Sequence, residues 1–244
     1  MKPLQAKELL DIWDRSKTRA PIEKALALLD VACSDEPTED PANFSIGERD
    51  TRLLRLREWM FGSKLSNIAD CPRCGEKIEW TTNISEMYLP LQKKETTTFM
   101  LTSNVFQLEY RLPNSYDLSR ALLDNNIRAN PKKFLTGCVV EAKKNNNECD
   151  VEELPDELLE TLSRQMSIED PQADIHMLLN CPVCAHSWDA QFDIVNYLWT
   201  EIDSWANHIL REVALLAANF NWSEADILNM TPQRRHSYLD ILQK

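Results

Sequence analysis

The chain has 244 residues, enough for one or two domains with a sizeable core. Its net charge of −12 and pI of about 4.9 argue against nucleic acid as the partner, because phosphate binding needs a basic face. With 43% hydrophobic and 27% charged residues, and no run approaching about 18 apolar residues, the composition is that of a soluble protein without a membrane span. The opening Met1-Lys2-Pro3-Leu4 leads into a mixed helix and not an apolar signal core.

Taken in chain order, the pattern predicts an α+β protein, mainly α-helical, in five stretches. Residues 1–65 read as helical. Pro21 suits the first turn of a helix carrying Ile22, Ala25, Leu26 and Leu29 at helical spacing. After an acidic, Pro-containing loop, Ser45-Ile46-Gly47-Glu48 reads as a capping box for a helix through Leu53, Leu56 and Met60, which Gly62 can end. Arg52, Arg55 and Arg57 on that helix, with Asp50 and Glu58 close by, read as a solvated face.

Residues 66–112 read as β-structure. Lys77 to Thr82 is an expected strand. Residues 96–101 and 105–112 are an expected hairpin, whose second strand alternates Phe106, Leu108, Tyr110 and Leu112 against Gln107, Glu109 and Arg111. Residues 113–178 read as an inserted helical region, with Ser115 capping a helix to Leu123. Glu141 to Cys149 reads as a polar linker. From Glu148 to Glu160 there are acids and no bases, which fits a solvated loop and a helix N-terminus. The spacing is not that of a calcium loop, and no Gly is present, which argues against a calcium site.

Residues 179–194 hold a strand near Trp188 to Ile194. Residues 195–244 are helical, with a heptad-like seam of Leu198, Ile202, Trp205, Ile209, Val213, Leu216 and Phe220 expected to pack on the protein's own helices. Ser223 and Thr231 read as caps of two further short helices, the second with Pro232 at its first position. Arg234, Arg235 and His236 offer a local basic cluster for an acidic partner surface.

Two Cys-Pro-x-Cys knuckles stand out, Cys71-Pro72-Arg73-Cys74 and Cys181-Pro182-Val183-Cys184. Each puts two thiolates on one tight turn, and together the four sulfurs match tetrahedral zinc in a closed structural site. Each knuckle is followed by a small residue and then a Trp (Trp80 and Trp188), a parallel that favours pairing of the halves into one small β zinc-ribbon module. About a hundred residues separate them, far beyond the usual ribbon loop of about 15–20. One shared ion with an inserted subdomain is therefore weighed against a separate ion for each knuckle in a dimer. With four cysteines available, His186 is expected beside the site and not in it. Cys33, Cys138 and Cys149 are scattered, which fits a reducing cytoplasm better than a disulfide framework.

Catalytic signatures do not emerge. None of the four glycines forms a phosphate-cradling loop, and there is no Gly-x-Ser-x-Gly elbow or His-Glu-x-x-His. His176, His208 and His236 have no acid or nucleophile at a telling spacing. The reading is non-enzymatic.

Several segments in order resemble a known family: Gly47-Glu48-Arg49-Asp50 running into Leu53 to Arg57, Cys71 to Gly75, Tyr110-Arg111-Leu112-Pro113-Asn114-Ser115-Tyr116-Asp117-Leu118, Leu179 to Cys184, Phe192-Asp193-Ile194, Leu198 to Ile202, Asn221 to Leu228, and Arg234-Arg235 to Tyr238-Leu239. From about residue 45 to the end, the chain resembles baseplate proteins of T-even-type contractile phages and related contractile injection systems, including baseplate hub assembly chaperones. The resemblance implies a role in building a baseplate, with hub or wedge subunits as partners. It implies a place in the cytoplasm of the producing bacterium or in the particle. Not all members carry the knuckles, so the resemblance does not rest on zinc. A zinc-ribbon adaptor in transcription or RNA handling is the contrasting reading, and it would want a basic ribbon. Here Asp70, Glu76, Lys77, Glu79 and Asp189 flank the knuckles.

Overall fold

The computed structural model describes residues 1–35, 40–87, 97–125, 127 and 130–242. The helices it describes are α1 (Ala6–Ser16), α2 (Pro21–Ala32), α3 (Ile46–Phe61), α4 (Ser115–Leu123), α5 (Pro131–Thr136), α6 (Asp156–Glu169), α7 (Ile194–Phe220), α8 (Glu224–Leu228) and α9 (Pro232–Leu242). The strands are β1 (Lys64–Asp70), β2 (Lys77–Asn83), β3 (Phe99–Ser103), β4 (Phe106–Tyr110), β5 (Val139–Lys144), β6 (Asn147–Glu148), β7 (Ile175–Asn180) and β8 (Ser187–Phe192). The α+β class is as expected. The chain divides into two compact units, one of Met1–Pro37 with Ile194–Lys244, the other Thr38–Asp193.

The first unit is helical. α7 packs against α1, α2, α8 and α9. Its buried seam is Leu198, Ile202, Ala206, Ile209, Val213 and Leu216. Burying each large aliphatic side chain contributes about 1.5–3 kcal/mol. Ala206 takes the inner place expected for Trp205, which is half-buried like Phe220. A small residue there lets the neighbouring helices approach closely. Trp13 donates its indole N–H to Asp203 at 2.9 Å, and the Lys24 ammonium lies 4.6 Å from the centre of the Trp199 ring. Ser223 caps α8, and the Thr231 hydroxyl accepts from the Arg234 N–H at the start of α9. Arg235 is not a surface cation. It is 4% exposed and its Nε donates to Glu212 at 3.1 Å, so it ties α9 to α7.

In the second unit, Ser45 caps α3 by accepting from the Glu48 N–H, while the Glu48 carboxylate turns to Arg52. The capping box is thus half-formed. The expected solvated arginine face is also wrong. Arg57 is 2% exposed and donates to the Gly62 carbonyl, and Arg49 and Asp50 form a buried pair at 2.7 Å. α3 is covered on most sides, and its guanidiniums find carbonyl and carboxylate partners inside, as burial of charge requires.

β3 to β6 form one antiparallel sheet in sequential order. Leu101, Leu108, Tyr110 and Ala142 on its inner face meet Leu154, Leu158, Leu159, Leu162 and Met166. The expected hairpin is present as β3 and β4, with shorter strands than expected, and Thr96 lies outside the described residues. The expected linker over Glu141 to Cys149 is a correction, because it is the β5–β6 hairpin. Asn145 and Asn146 have φ of 51° and 64°, the left-handed pair that a two-residue type I′ turn requires. α4 begins one residue earlier than expected. Its cap is Asn114, whose side chain accepts from Tyr116 and Asp117. Asp156 and Glu157 stand in the first turn of α6, where acids complement the helix dipole.

Candidate metal centre

Each knuckle sits at the tip of a two-stranded antiparallel hairpin. β1 pairs with β2 from Lys64↔Asn83 to Asp70↔Lys77, and β7 pairs with β8 from Ile175↔Phe192 to Asn180↔Ser187. The incoming strands β1 and β7 went unread in the sequence, since neither alternates cleanly. β8 stops at Phe192, and Ile194 already starts α7. The two hairpins match position for position at one constant offset. Cys71 donates its N–H to the Glu76 carbonyl at 2.8 Å, and Cys181 does the same to His186 at 2.8 Å. Gly75 and Ala185 donate back to the carbonyls of Cys71 and Cys181. Both have positive φ, 73° and 54°. Trp80 and Trp188 do not correspond in this register. They share a strand face but lie two cross-strand pairs apart, so they are an approximate guide.

The structure brings Cys71, Cys74, Cys181 and Cys184 together. Their sulfurs all lie within 4.8 Å of one another, with Cys71 3.7 Å from Cys184 and Cys74 3.6 Å from Cys181. Four sulfurs at about 2.3 Å from one zinc would be about 3.8 Å apart along each tetrahedral edge. The donor set therefore fits a tetrahedral thiolate ion, and the four cysteines could bind a metal.

The electrostatics of the bare thiols point the same way. Desolvation raises Cys71, but the N–H groups of Cys74 and Arg73 outweigh it and bring the thiol down to about 7. At Cys74 the Glu76 N–H favours the thiolate, yet removal from water and the neighbouring sulfurs push it up to about 12. Four sulfurs this close cannot all ionise without a cation, and a divalent ion removes that conflict. His186 is half-buried, contributes its carbonyl to the turn and stacks its ring on Trp188 at 6.1 Å, outside the sulfur cluster.

One constellation escaped the sequence reading. His176 has no acid or nucleophile at a telling spacing in the sequence, yet its Nε2 lies 2.9 Å from Asp174 and its Nδ1 3.0 Å from Asp189. Asp189 lies across the β7–β8 hairpin, and strand pairing was the missing information. With a carboxylate at each nitrogen, the protonated form of the ring is favoured. Hydrogen bonding to Asp174 is the chief cause of its raised pKa.

Comparison with known proteins places the chain. It matches the family described as T4 bacteriophage base plate protein over residues 2–198. The chain belongs to that family. The match takes in the N-terminal helices, which carried little of the resemblance. It ends at Leu198, so Trp199 to Ile202 and the segments from Asn221 onward that entered the resemblance lie beyond it. No curated protein and no solved structure matches the chain. Among the described residues no helix is long and apolar enough to cross a membrane.

Proposed function

We propose that this member of the baseplate family is a non-enzymatic assembly factor for the baseplate of a contractile phage tail or contractile injection system. In this reading it acts as a chaperone on a hub or wedge subunit in the producing cell. Family membership over residues 2–198 carries the reading. The net charge of −12 supports it, since a folding partner held in solution must resist self-association.

The four cysteines hold one structural zinc as a ribbon split across the chain. The ion supplies what two isolated two-stranded hairpins lack, because a hairpin alone is marginal in water. The adaptor reading finds no support in the charge near the knuckles, where Lys77 is already paired with Asp70 at 2.9 Å. It predicts micromolar, strongly salt-dependent binding to DNA or RNA, whereas the baseplate reading predicts none near physiological salt.

Quantitative mass spectrometry of purified sheathed particles, beside the producing-cell lysate, tests the proposal. A chaperone is abundant in lysate, absent from particles, and required for particle formation. Stoichiometric presence with baseplate subunits would instead make it a retained structural component.

A further inference from the structure

We infer that the four-cysteine cluster is also an oxidant-modification site, where peroxide exchanges a bound ion for two disulfides that join the same two hairpins. The inference rests on the reading of the cluster as one metal site. Its geometric basis is the pairing of sulfurs. Two sulfur contacts, at 3.6 and 3.7 Å, run between knuckles, Cys74 to Cys181 and Cys71 to Cys184, beside the contact of Cys71 with Cys74 within a knuckle. Exposure sets the order of attack. Cys74 is exposed and Cys184 half-exposed, while Cys71 and Cys181 are buried. Each close pair thus joins one accessible sulfur to one sheltered sulfur, which is the arrangement of an attacked thiolate and a resolving one.

The chemistry balances with peroxide as the two-electron oxidant. The Cys74 thiolate attacks one peroxide oxygen, the O–O bond breaks, and hydroxide leaves, giving a sulfenic acid on Cys74. The Cys181 thiolate then attacks the Cys74 sulfur and expels a second hydroxide. One peroxide is reduced and two sulfurs are oxidised to a disulfide. A second equivalent does the same at Cys184, with Cys71 resolving. Loss of its thiolate ligands frees the ion. Thiol reductant and fresh zinc reverse both steps.

The choice of partner decides the outcome for the fold. Disulfides within a knuckle, Cys71 with Cys74 and Cys181 with Cys184, would leave the hairpins untied. The cross pairs keep them clasped.

The test uses the full chain loaded with zinc and titrated with hydrogen peroxide. Zinc release is read with a chromogenic chelator. Disulfides are mapped by mass spectrometry after alkylation of remaining thiols. Trypsin cuts after Arg73 and so separates Cys71 from Cys74. The expected result is release of the ion with about two equivalents of peroxide consumed, with Cys74–Cys181 and Cys71–Cys184 linkages dominating. Within-knuckle linkages, over-oxidation of Cys74 without a disulfide, or retention of zinc would each overturn the inference. Failure of the chain to bind zinc at all would overturn the underlying metal reading instead.

Discussion

The buried N–H of Gly47 donates to the Asp170 carboxylate at 2.9 Å, across 123 residues of chain. With it, the first turn of α3 is satisfied from three directions: Ile46 donates to the Pro113 carbonyl, Gly47 to Asp170, and Glu48 to the Ser45 hydroxyl. Helix starts leave such donors orphaned, and burial makes each one costly to neglect. A Cβ on Gly47 would sit 2.3 Å from an Asp170 oxygen and 2.8 Å from the Ala173 nitrogen. Gly47→Ala should therefore destabilise the protein by about 3 kcal/mol, from overpacking and a lost charged hydrogen bond. Denaturant unfolding measures this. A change under about 0.5 kcal/mol, the range of an ordinary surface substitution, would refute it.

That junction shows what a sequence can and cannot disclose. Ser45 was readable as a cap because cap and helix are adjacent. Asp170 and Pro113 were not, because their roles depend on how distant segments meet. The same divide runs through the candidate site. The four cysteines were legible from two short spacings, and the seam of α7 from its period. The Asp174–His176–Asp189 arrangement depends on strand register, and the burial of Arg57 and Arg235 on tertiary partners. The β5–β6 hairpin was legible in principle. Three consecutive Asn after Val139 to Lys144 carry a turn signal that their polarity obscured.

Asp117 anchors a second staple. Arg111 and Arg120 both donate to it, at 2.8 Å from Arg111 Nη2 and 2.8 Å from Arg120, and its side chain is 3% exposed. Burial raises its pKa, but the Arg111 guanidinium, the Asn114 N–H and Arg120 together hold it below the usual carboxylate value. A depressed folded pKa gives stability that is complete above the unfolded value of about 3.9 and is lost as pH falls through the folded value. Asp117→Asn should cost about 2 kcal/mol at neutral pH, moderated because both arginines reach water. It should also flatten stability loss below about pH 4. Urea melts at several pH values check both. An unchanged acid limb would count against the staple.

Gly75 and Ala185 occupy equivalent left-handed positions, yet only one is glycine. Nothing lies within 4 Å of where a Gly75 Cβ would stand, so the cost of Gly75→Ala is conformational alone. It should destabilise by about 1 kcal/mol, and Ala185→Gly should stabilise by up to about 1 kcal/mol after the entropy of the unfolded chain is counted. Thermal melts of both variants in excess zinc give the comparison. Matching signs would contradict the equivalence of the knuckles.

His176 should titrate above the ordinary imidazole value near 6.5, because both its nitrogens face carboxylates. A raised folded pKa gives stability that is complete below the unfolded value and fades as pH rises through the folded one. Its contribution to the β7–β8 hairpin is therefore present in mild acid and lost on the alkaline side. An NMR titration of the ring protons should show the raised midpoint, and Asp189→Asn should lower it. A midpoint at or below 6.5 would remove the imidazolium from the account.

One shared ion and two separate ions make different demands on the knuckle variants. If all four sulfurs hold one zinc, Cys71→Ser leaves three ligands split between hairpins, and so does Cys181→Ser. Both should lose the ion and unfold the module to a similar degree, by at least about 3 kcal/mol. Chelation of the wild type should reproduce that loss without any substitution. If each knuckle bound its own ion, either variant would keep half the metal, and the opposite hairpin would be unaffected. Zinc content per chain by atomic spectroscopy distinguishes the cases: near one falling to near zero in both variants for the shared site. Equal zinc in wild type and variants would refute coordination by these sulfurs.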